Sequence, residues 1–256
     1  MIHTKLQKPK INISTDKNYK TVKKMVQESY LNTVCAEARC PNIYECWNRK
    51  TATLMILGDT CTRACGFCSV KTGKPTWNDP LEPIRVAQAV KKMGLRHVVI
   101  TSVDRDDLKG DFGASIWADT IKQTKKVNPG CTVEVLTPDF KGFEPALKIV
   151  FDSKPDIFSH NVECVERISK AVRAQANWQR SLGVLEKSIQ HGLRTKTGIM
   201  VGLGEEVEEV KKTMRQVVDL GVQIFTIGQY LQPTKNHLKV EEYISKEQFD
   251  LYKEYG

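Results

Sequence analysis

The chain has 256 residues, 40% of them hydrophobic and 27% charged, with a formal net charge of +9. No run approaches the roughly 18 apolar residues of a membrane span, and Met1 to Lys24 is polar and basic with no signal-peptide core, so neither a membrane protein nor a secreted one is expected and the default compartment is the cytoplasm. Aromatic residues make up only 7% and do not interleave with the pairs Lys23-Lys24, Lys91-Lys92, Lys125-Lys126 and Lys211-Lys212, which argues against a nucleic-acid groove and for solvated helix faces; a basic enzyme can instead meet an acidic protein partner.

Residues 1–30 form a polar lead in which Thr21 to Tyr30 suits one helix. Then come Cys35, Cys40 and Cys46, spaced C-x4-C-x5-C, with a turn at Pro41-Asn42. Taken alone, three thiols without a fourth fit a structural zinc site with a distant ligand, a reactive thiol pair or an iron–sulfur cluster. Eight cysteines in a cytosolic chain favour metal or redox chemistry over disulfides. Next, an apolar strand, Ala52 to Leu57, runs through Gly58-Asp59-Thr60 into Cys61-Thr62-Arg63-Ala64-Cys65-Gly66-Phe67-Cys68. Three thiolates on one short loop can face one object. An iron–sulfur cluster suits them better than zinc, which usually wants a fourth protein ligand. Three cysteines on a four-iron cluster leave one iron open.

Short strands then alternate with helices. Strands are expected at His97 to Ser102, Thr132 to Leu136, Asp156 to Val162, Arg194 to Val201 and Gln223 to Tyr230. Helices are expected at Leu81 to Met93, Ala114 to Lys126, Glu144 to Phe151, Val165 to Val172, Ser181 to His191 and Glu206 to Leu220. With Ala52 to Leu57 that makes six β/α units, an α/β pattern that argues a parallel sheet. Polar and glycine residues gather after every strand: Cys61 to Cys68, Thr101 to Asp107, Thr137-Pro138-Asp139, His160 to Glu163, Gly202 to Glu205 and Gln229 to Pro233. Parallel barrels place their sites at these carboxyl ends. Ser245, with Gln248 three residues on, caps a last helix, Lys246 to Glu254.

C-x3-C-x2-C with an aromatic before the last cysteine resembles the signature of the radical S-adenosylmethionine (SAM) enzymes. The order C-x4-C-x5-C, then C-x3-C-x2-C fifteen residues later, is similar to the lipoyl synthase family. So are the flanks Glu37-Ala38-Arg39-Cys40-Pro41-Asn42 and Gly58-Asp59-Thr60-Cys61-Thr62-Arg63-Ala64-Cys65. The resemblance runs from about Cys35 to Pro233. It implies a partial (β/α)6 TIM-type barrel over 51–235, an N-terminal extension, 1–50, carrying an auxiliary cluster motif, and a C-terminal helical segment, 236–256. It implies two [4Fe-4S] clusters, one on Cys61, Cys65 and Cys68 that binds and cleaves SAM, and an auxiliary one on Cys35, Cys40 and Cys46. The implied reaction inserts sulfur from the auxiliary cluster at C6 and C8 of an octanoyl chain amide-linked to a lysine. The implied partners are an octanoylated carrier protein (a lipoyl domain or the glycine-cleavage H protein), an electron donor such as flavodoxin or ferredoxin, and a cluster-repair protein. A monomer with no membrane or nucleic-acid partner is expected.

On this reading Thr101 and Ser102 meet the amino-acid end of SAM. Asn161 and Glu163, at alternate positions past the fourth strand, both face the cavity. Gly198 to Glu205 resembles the G-x-I-x-G-x-x-E stretch of such barrels, with Met200 at the Ile position; Gly202 and Gly204 let backbone approach a flat ring, although a βα turn is the plainer account. Asp104, Asp106 and Asp107 suggest a divalent ion or pairing with Arg105, and the pairing is preferred. His160 and Lys196 point near the same rim with no assigned role. Cys131 and Cys164 read as packing residues. Other sulfur-inserting radical SAM enzymes such as methylthiotransferases, an iron–sulfur electron carrier and a zinc-stabilised binding module are the alternatives. Members of the resembled family end in an Arg-Ser-Ser stretch whose serine ligates the auxiliary cluster. This chain stops at Tyr255-Gly256, and the only serine after Ser188 is Ser245, so the expectation is a truncated chain that binds SAM and both clusters but inserts sulfur poorly.

Overall fold

The computed structural model describes residues 13–256 apart from 30, 39, 41, 50 and 52. Helix α1, Lys17–Glu28, begins at Asp16, whose carboxylate accepts from the amides of Asn18 and Tyr19. It starts four residues earlier than the hydrophobic spacing indicates because a side-chain cap, not an apolar residue, sets the end. The expected end at Tyr30, the Pro41 half of the turn and the Ala52 start of the first strand lie outside the described residues. Strand β1 (Asn32–Thr33), helix α2 (Val34–Glu37) and helix α3 (Ile43–Asn48) follow. Tyr19 stacks on Tyr44 at 5.5 Å and meets Trp47 at 5.2 Å between ring centroids, which fastens α1 to α3.

The barrel strands are β2 (Thr53–Ile56), β5 (His97–Ser102), β6 (Thr132–Leu136), β7 (Ile157–Ser159), β8 (Thr195–Val201) and β9 (Ile224–Gln229); a small pair, β3 (Thr60–Cys61) and β4 (Lys71–Thr72), brackets the second cysteine group. Helices α4 (Glu82–Met93), α5 (Ala114–Val127), α6 (Glu144–Asp152), α7 (Glu166–Val172), α8 (Trp178–Gln190), α9 (Val207–Asp219) and α10 (Lys246–Tyr255) fill the intervals. The sheet order is β1-β2-β5-β6-β7-β8-β9, all parallel except β1, which runs antiparallel along β2. This is the expected partial barrel: six β/α units that do not close, with the N-terminal segment sealing the β2 edge.

Register explains which side chains reach the site. Leu54 lies beside Ile100, and Val98 and Ile100 beside Val133 and Val135, on the face packed by helices. Trp117 and Ile121 of α5 and Val86 and Val90 of α4 are fully buried against that face, each contributing roughly 1.5–3 kcal/mol. The opposite face carries Met55, Thr101 and Leu136 side by side, pointing into the barrel. Gly94, at φ 62°, ends α4 in the left-handed conformation that glycine adopts freely.

The fourth strand is shorter than expected. It ends at Ser159, and the chain then turns so that Glu163, at φ 69°, forms an isolated bridge to Ile199. The cause is side-chain bonding: His160 contacts the carbonyl oxygen of Thr137 at 2.9 Å and the hydroxyl of Ser181 at 3.0 Å.

Candidate active site

Cys61, Cys65 and Cys68 line one cavity of about 270 Å³ at the carboxyl ends of the strands. Its walls include Met55, Thr101, Leu136, Asn161, Glu163 and Arg173, and also Val34 and Ala38, which flank Cys35. Cys35, Cys40 and Cys46 lie on or between two short helices whose backbone closes on itself: the Cys40 amide donates to the Cys35 carbonyl at 3.1 Å, and that of Cys46 to Asn42 at 2.9 Å. The N-terminal cysteine group thus stands behind the wall of the cavity that the second group lines.

Cys40, Cys46, Cys61, Cys65 and Cys68 are buried enough to resist ionising. Burial, with the charge of Asp104 next, pushes Cys61 up to about 11 and Cys65 up to about 12. Burial raises Cys40 and Cys46 too, and the neighbouring Cys35 adds to both. Such thiols become ligands when a strongly positive metal centre replaces their protons. Among the described residues, no three His, Cys, Asp or Glu side chains stand close enough to share a single metal ion.

Arg63 clamps the cysteine loop to the barrel. Its guanidinium is buried and meets Asp106 through two hydrogen bonds of 2.9 Å, Asp139 at 2.7 Å and Asp104 at 3.3 Å. Asp139, itself fully buried, also meets Arg180 at 3.2 Å. Burial alone would raise the Asp139 carboxyl, but the Arg63 hydrogen bond and charge hold it well below the usual carboxylate range. Burial pushes Asp104 up to about 6 against the pull of Arg63. The sequence favours Arg105 as the partner of the acidic loop, and this holds for one carboxylate of the three. Arg105 binds Asp107 through two 2.9 Å hydrogen bonds, but Asp104 and Asp106 belong to Arg63.

Two further segments hold the loop. The Gly66 amide donates to the Val172 carbonyl at 2.9 Å, and the Ala64 amide to the Gln175 side chain at 2.6 Å. From the other side, the Leu238 amide donates to the Gly66 carbonyl at 2.9 Å, and His237 Nε2 donates to the Cys68 carbonyl at 3.0 Å. A Cβ on Gly66 would stand 2.9 Å from Leu238 Cγ, so glycine is needed between two cysteines where the strap crosses. Arg63, Gln175 and His237 carry no local signal of these roles, because their partners lie far along the chain.

Thr101, Ser102, Asn161 and Glu163 all line the cavity. The Thr101 hydroxyl donates to the Leu136 carbonyl at 2.8 Å, and that of Ser102 to the Val103 carbonyl at 2.8 Å. Burial raises Glu163, while Arg173 and the Asn161 amide pull it down. Arg173 donates to the Asn161 carbonyl at 2.7 Å and to Ser181 Oγ at 2.8 Å. Gly202 and Gly204, expected at the same site, are not among the residues lining this cavity, although Leu203 between them packs in one cluster with Phe67, which is. The close approach that Gly202 allows is taken by the Gln229 side chain and the Glu242 carbonyl, which occupy the space a Cβ would need, and the Glu241 amide donates to the Gly202 carbonyl. Lys196 is not among the lining residues either: it is the second residue of β8 and pairs with Glu134 at 2.7 Å inside the barrel.

His160 has a defined protonation state. The Thr137 carbonyl can only accept, so Nδ1 carries the proton and Nε2 accepts from Ser181. Burial, then Arg173, lowers this histidine to about 4. The unfolded chain therefore binds a proton between about pH 6.5 and 4 that the folded one does not. Stability is lost as pH falls through that window, by roughly 3 kcal/mol. Chemical denaturation across the window should show a flatter profile for His160→Gln; parallel profiles would rule out this assignment.

A family model of the Radical SAM superfamily matches residues 55–217. Among solved structures, Streptococcus suis SuiB bound to S-adenosylmethionine superposes with a TM-score of 0.63 at 11% identity, covering 94% of this chain and 59% of that one. Methylornithine synthase (PylB) gives 0.62 at 11%, covering 93% and 67%. The fold and the cysteine-lined cavity thus define a radical SAM protein. The lipoyl synthase of Rubrobacter xylanophilus is 55% identical over 249 residues, covering 96% of this chain and 77% of the relative. The mitochondrial lipoyl synthase of Nematostella vectensis is 50% identical over 253 residues, covering 97% and 87%. The chain belongs to the lipoyl synthase family.

Proposed function

We propose that this chain inserts sulfur at C6 and C8 of an octanoyl group amide-linked to a carrier-protein lysine, with an auxiliary cluster as the sulfur donor. The observation that carries this is the shared cavity: one cysteine triplet lines it, and the segment bearing the other forms part of its wall. Cys61, Cys65 and Cys68 are assigned to the cluster that binds SAM, and Cys35, Cys40 and Cys46 to the auxiliary one. Residues 1–50, 51–235 and 236–256 are the corresponding extension, barrel and C-terminal segment. When bound, these groups supply an electron, a hydrogen-abstracting radical and sulfur, as unactivated carbons demand.

The protein's own side chains orient and shield. A zwitterionic ligand needs a cation and an anion, and Arg173 and Glu163 provide the pair within one wall. Ser181 and neutral His160 fix the Arg173 guanidinium from behind. Thr101, Ser102 and Asn161 add hydrogen-bonding positions. Met55, Val34, Ala38, Val70 and Leu136 give an apolar lining that suits an alkyl chain and keeps water from a carbon radical. Gly202 and Gly204 serve the turn and the strap from 240 to 242 rather than this lining. The partners that follow are an octanoylated lipoyl domain or H protein, a flavodoxin- or ferredoxin-type reductant and a cluster-repair protein, in the cytoplasm. Among the described residues, no helix is long and apolar enough to cross a membrane.

The test is anaerobic reconstitution followed by reaction with an octanoyl-lysine peptide and SAM under reduction. About eight irons per chain are expected, four per triplet, with SAM-dependent sulfur addition to the peptide by mass. Zinc at either triplet, or SAM cleavage with no sulfur-bearing product even after an Arg-Ser-Ser tail is appended, would overturn the proposal.

A further inference from the structure

We infer that the exposed strip Trp77, Leu81 and Ile84 is the docking surface for an acidic carrier-protein domain that presents its acylated lysine to the cavity, an inference that rests on the reaction proposed above. The three side chains are 68%, 59% and 49% exposed within eight residues of chain. Single exposed apolar residues need no explanation, whereas Leu81 and Ile84 are neighbours three apart at the start of α4, Trp77 is four residues before Leu81, and tryptophan is among the residues most enriched where binding energy concentrates.

The strip is rigid. Arg105 donates to the Trp77 carbonyl at 3.3 Å, the Leu81 amide donates to Asp79 at 2.9 Å, and Asp79 pairs with Arg85. Glu82 accepts from the Leu57 amide at 2.7 Å, fixing the first turn of α4 to the end of β2. A surface ordered in advance loses little entropy when a partner lands. Beside Trp77 lies a cleft of about 400 Å³ lined by Asn32, Gly58, Asp59, Asp79, Glu82 and Arg85, a seat for an uncharged partner side chain.

Its position suits delivery into the site. Strand β4 pairs with β3 of the cysteine loop, and Thr72 of β4 lines the cavity. Trp77 follows five residues later, so the two are within about 18 Å. Because α4 begins where β2 ends, the strip shares the barrel face on which the cavity lies.

Charge selects the partner. The acids around the strip are answered internally: Asp59 by Lys71 at 3.9 Å, Asp79 by Arg85, Glu82 by the Leu57 amide. Lys74, three residues before Trp77, is exposed and forms no ion pair among the described residues, on a chain of net charge +9. A domain with an apolar centre and an acidic rim fits this surface.

The experiment titrates the reconstituted full chain into two fluorophore-labelled probes, an octanoylated lipoyl domain and an octanoyl-lysine pentapeptide. Trp77→Ser is expected to weaken domain binding about tenfold or more, and Lys74→Glu to weaken it more at low salt than at high. Peptide binding, iron content and SAM cleavage stay at wild-type values in both. Domain binding unchanged in Trp77→Ser, or peptide binding weakened as much, overturns the inference. So does a wild-type dimer in sedimentation that Trp77→Ser dissolves, since the strip would then join two copies of this chain. Tight, Trp77-dependent domain binding without any sulfur-bearing product would count against the reaction and leave the docking surface standing.

Discussion

Replacing Arg63 by methionine is expected to cost the folded chain about 3–5 kcal/mol and to leave the Cys61–Cys68 loop unable to retain iron. The guanidinium is buried and serves three carboxylates from two strand ends: Asp104 and Asp106 after β5 and Asp139 after β6. Removing it leaves those charges facing one another, with only Arg180 on Asp139 and Lys141, 3.8 Å from Asp106, still answering them. The pH dependence follows in sign. The Asp139 carboxyl, depressed in the folded state, contributes stability that is present above its unfolded value of 3.8 and lost as pH falls below it. Without Arg63 the largest part of that contribution is lost, and acid destabilises less through this group. Arg63→Lys should fall between, because a point charge cannot serve the positions of Nε, Nη1 and Nη2 together. Denaturant midpoints and iron per chain after reconstitution measure both effects. A methionine variant that keeps wild-type stability and iron would show that the clamp is incidental. Adding Asp139→Asn to Arg63→Met should recover part of the loss, since one uncompensated charge goes with it.

The contrast between Arg63 and its neighbours shows where sequence reading reaches. The cysteines are legible because a cluster ligand set is local, three residues in eight. The six strands are legible because β-branched runs alternate with helical periodicity and polar residues collect at each carboxyl end. Arg63 lies inside the motif, yet its role depends on Asp106, 43 residues away, and Asp139, 76 away. His237 meets Cys68 across 169 residues. No local pattern encodes such a pairing. Asn161 and Glu163 reach the cavity, but through a turn with Glu163 in the left-handed region and not along an extended strand. Gly202 fits the motif by letter, while the room it provides is filled by a segment forty residues on. Exposure is similarly illegible: nothing in Trp77 itself distinguishes it from the buried Trp117.

Cys65→Ala and Cys40→Ala are expected to fail differently. Cys65 lies on the cavity itself, and its proton is held by burial and then by the charge of Asp104. Without its sulfur the loop offers two thiolates, Cys61 and Cys68, too few to hold a cluster with one open iron. SAM cleavage should drop to background, and the retained iron should fall to about four of about eight per chain. Cys40 lies in the N-terminal segment, whose contribution to the cavity is the apolar wall of Val34 and Ala38. That wall depends on β1 pairing with β2 and on the Tyr19, Tyr44 and Trp47 contacts, none of which uses the Cys40 sulfur. Cys40→Ala should therefore also lose about half the iron, yet keep SAM cleavage measurable while sulfur addition to the octanoyl-lysine peptide stops. Iron counting alone cannot separate the two variants, so the decisive comparison is 5′-deoxyadenosine formed per chain. Equal loss of that product in both would mean that the triplets act as one centre and that the wall between them does not divide their work.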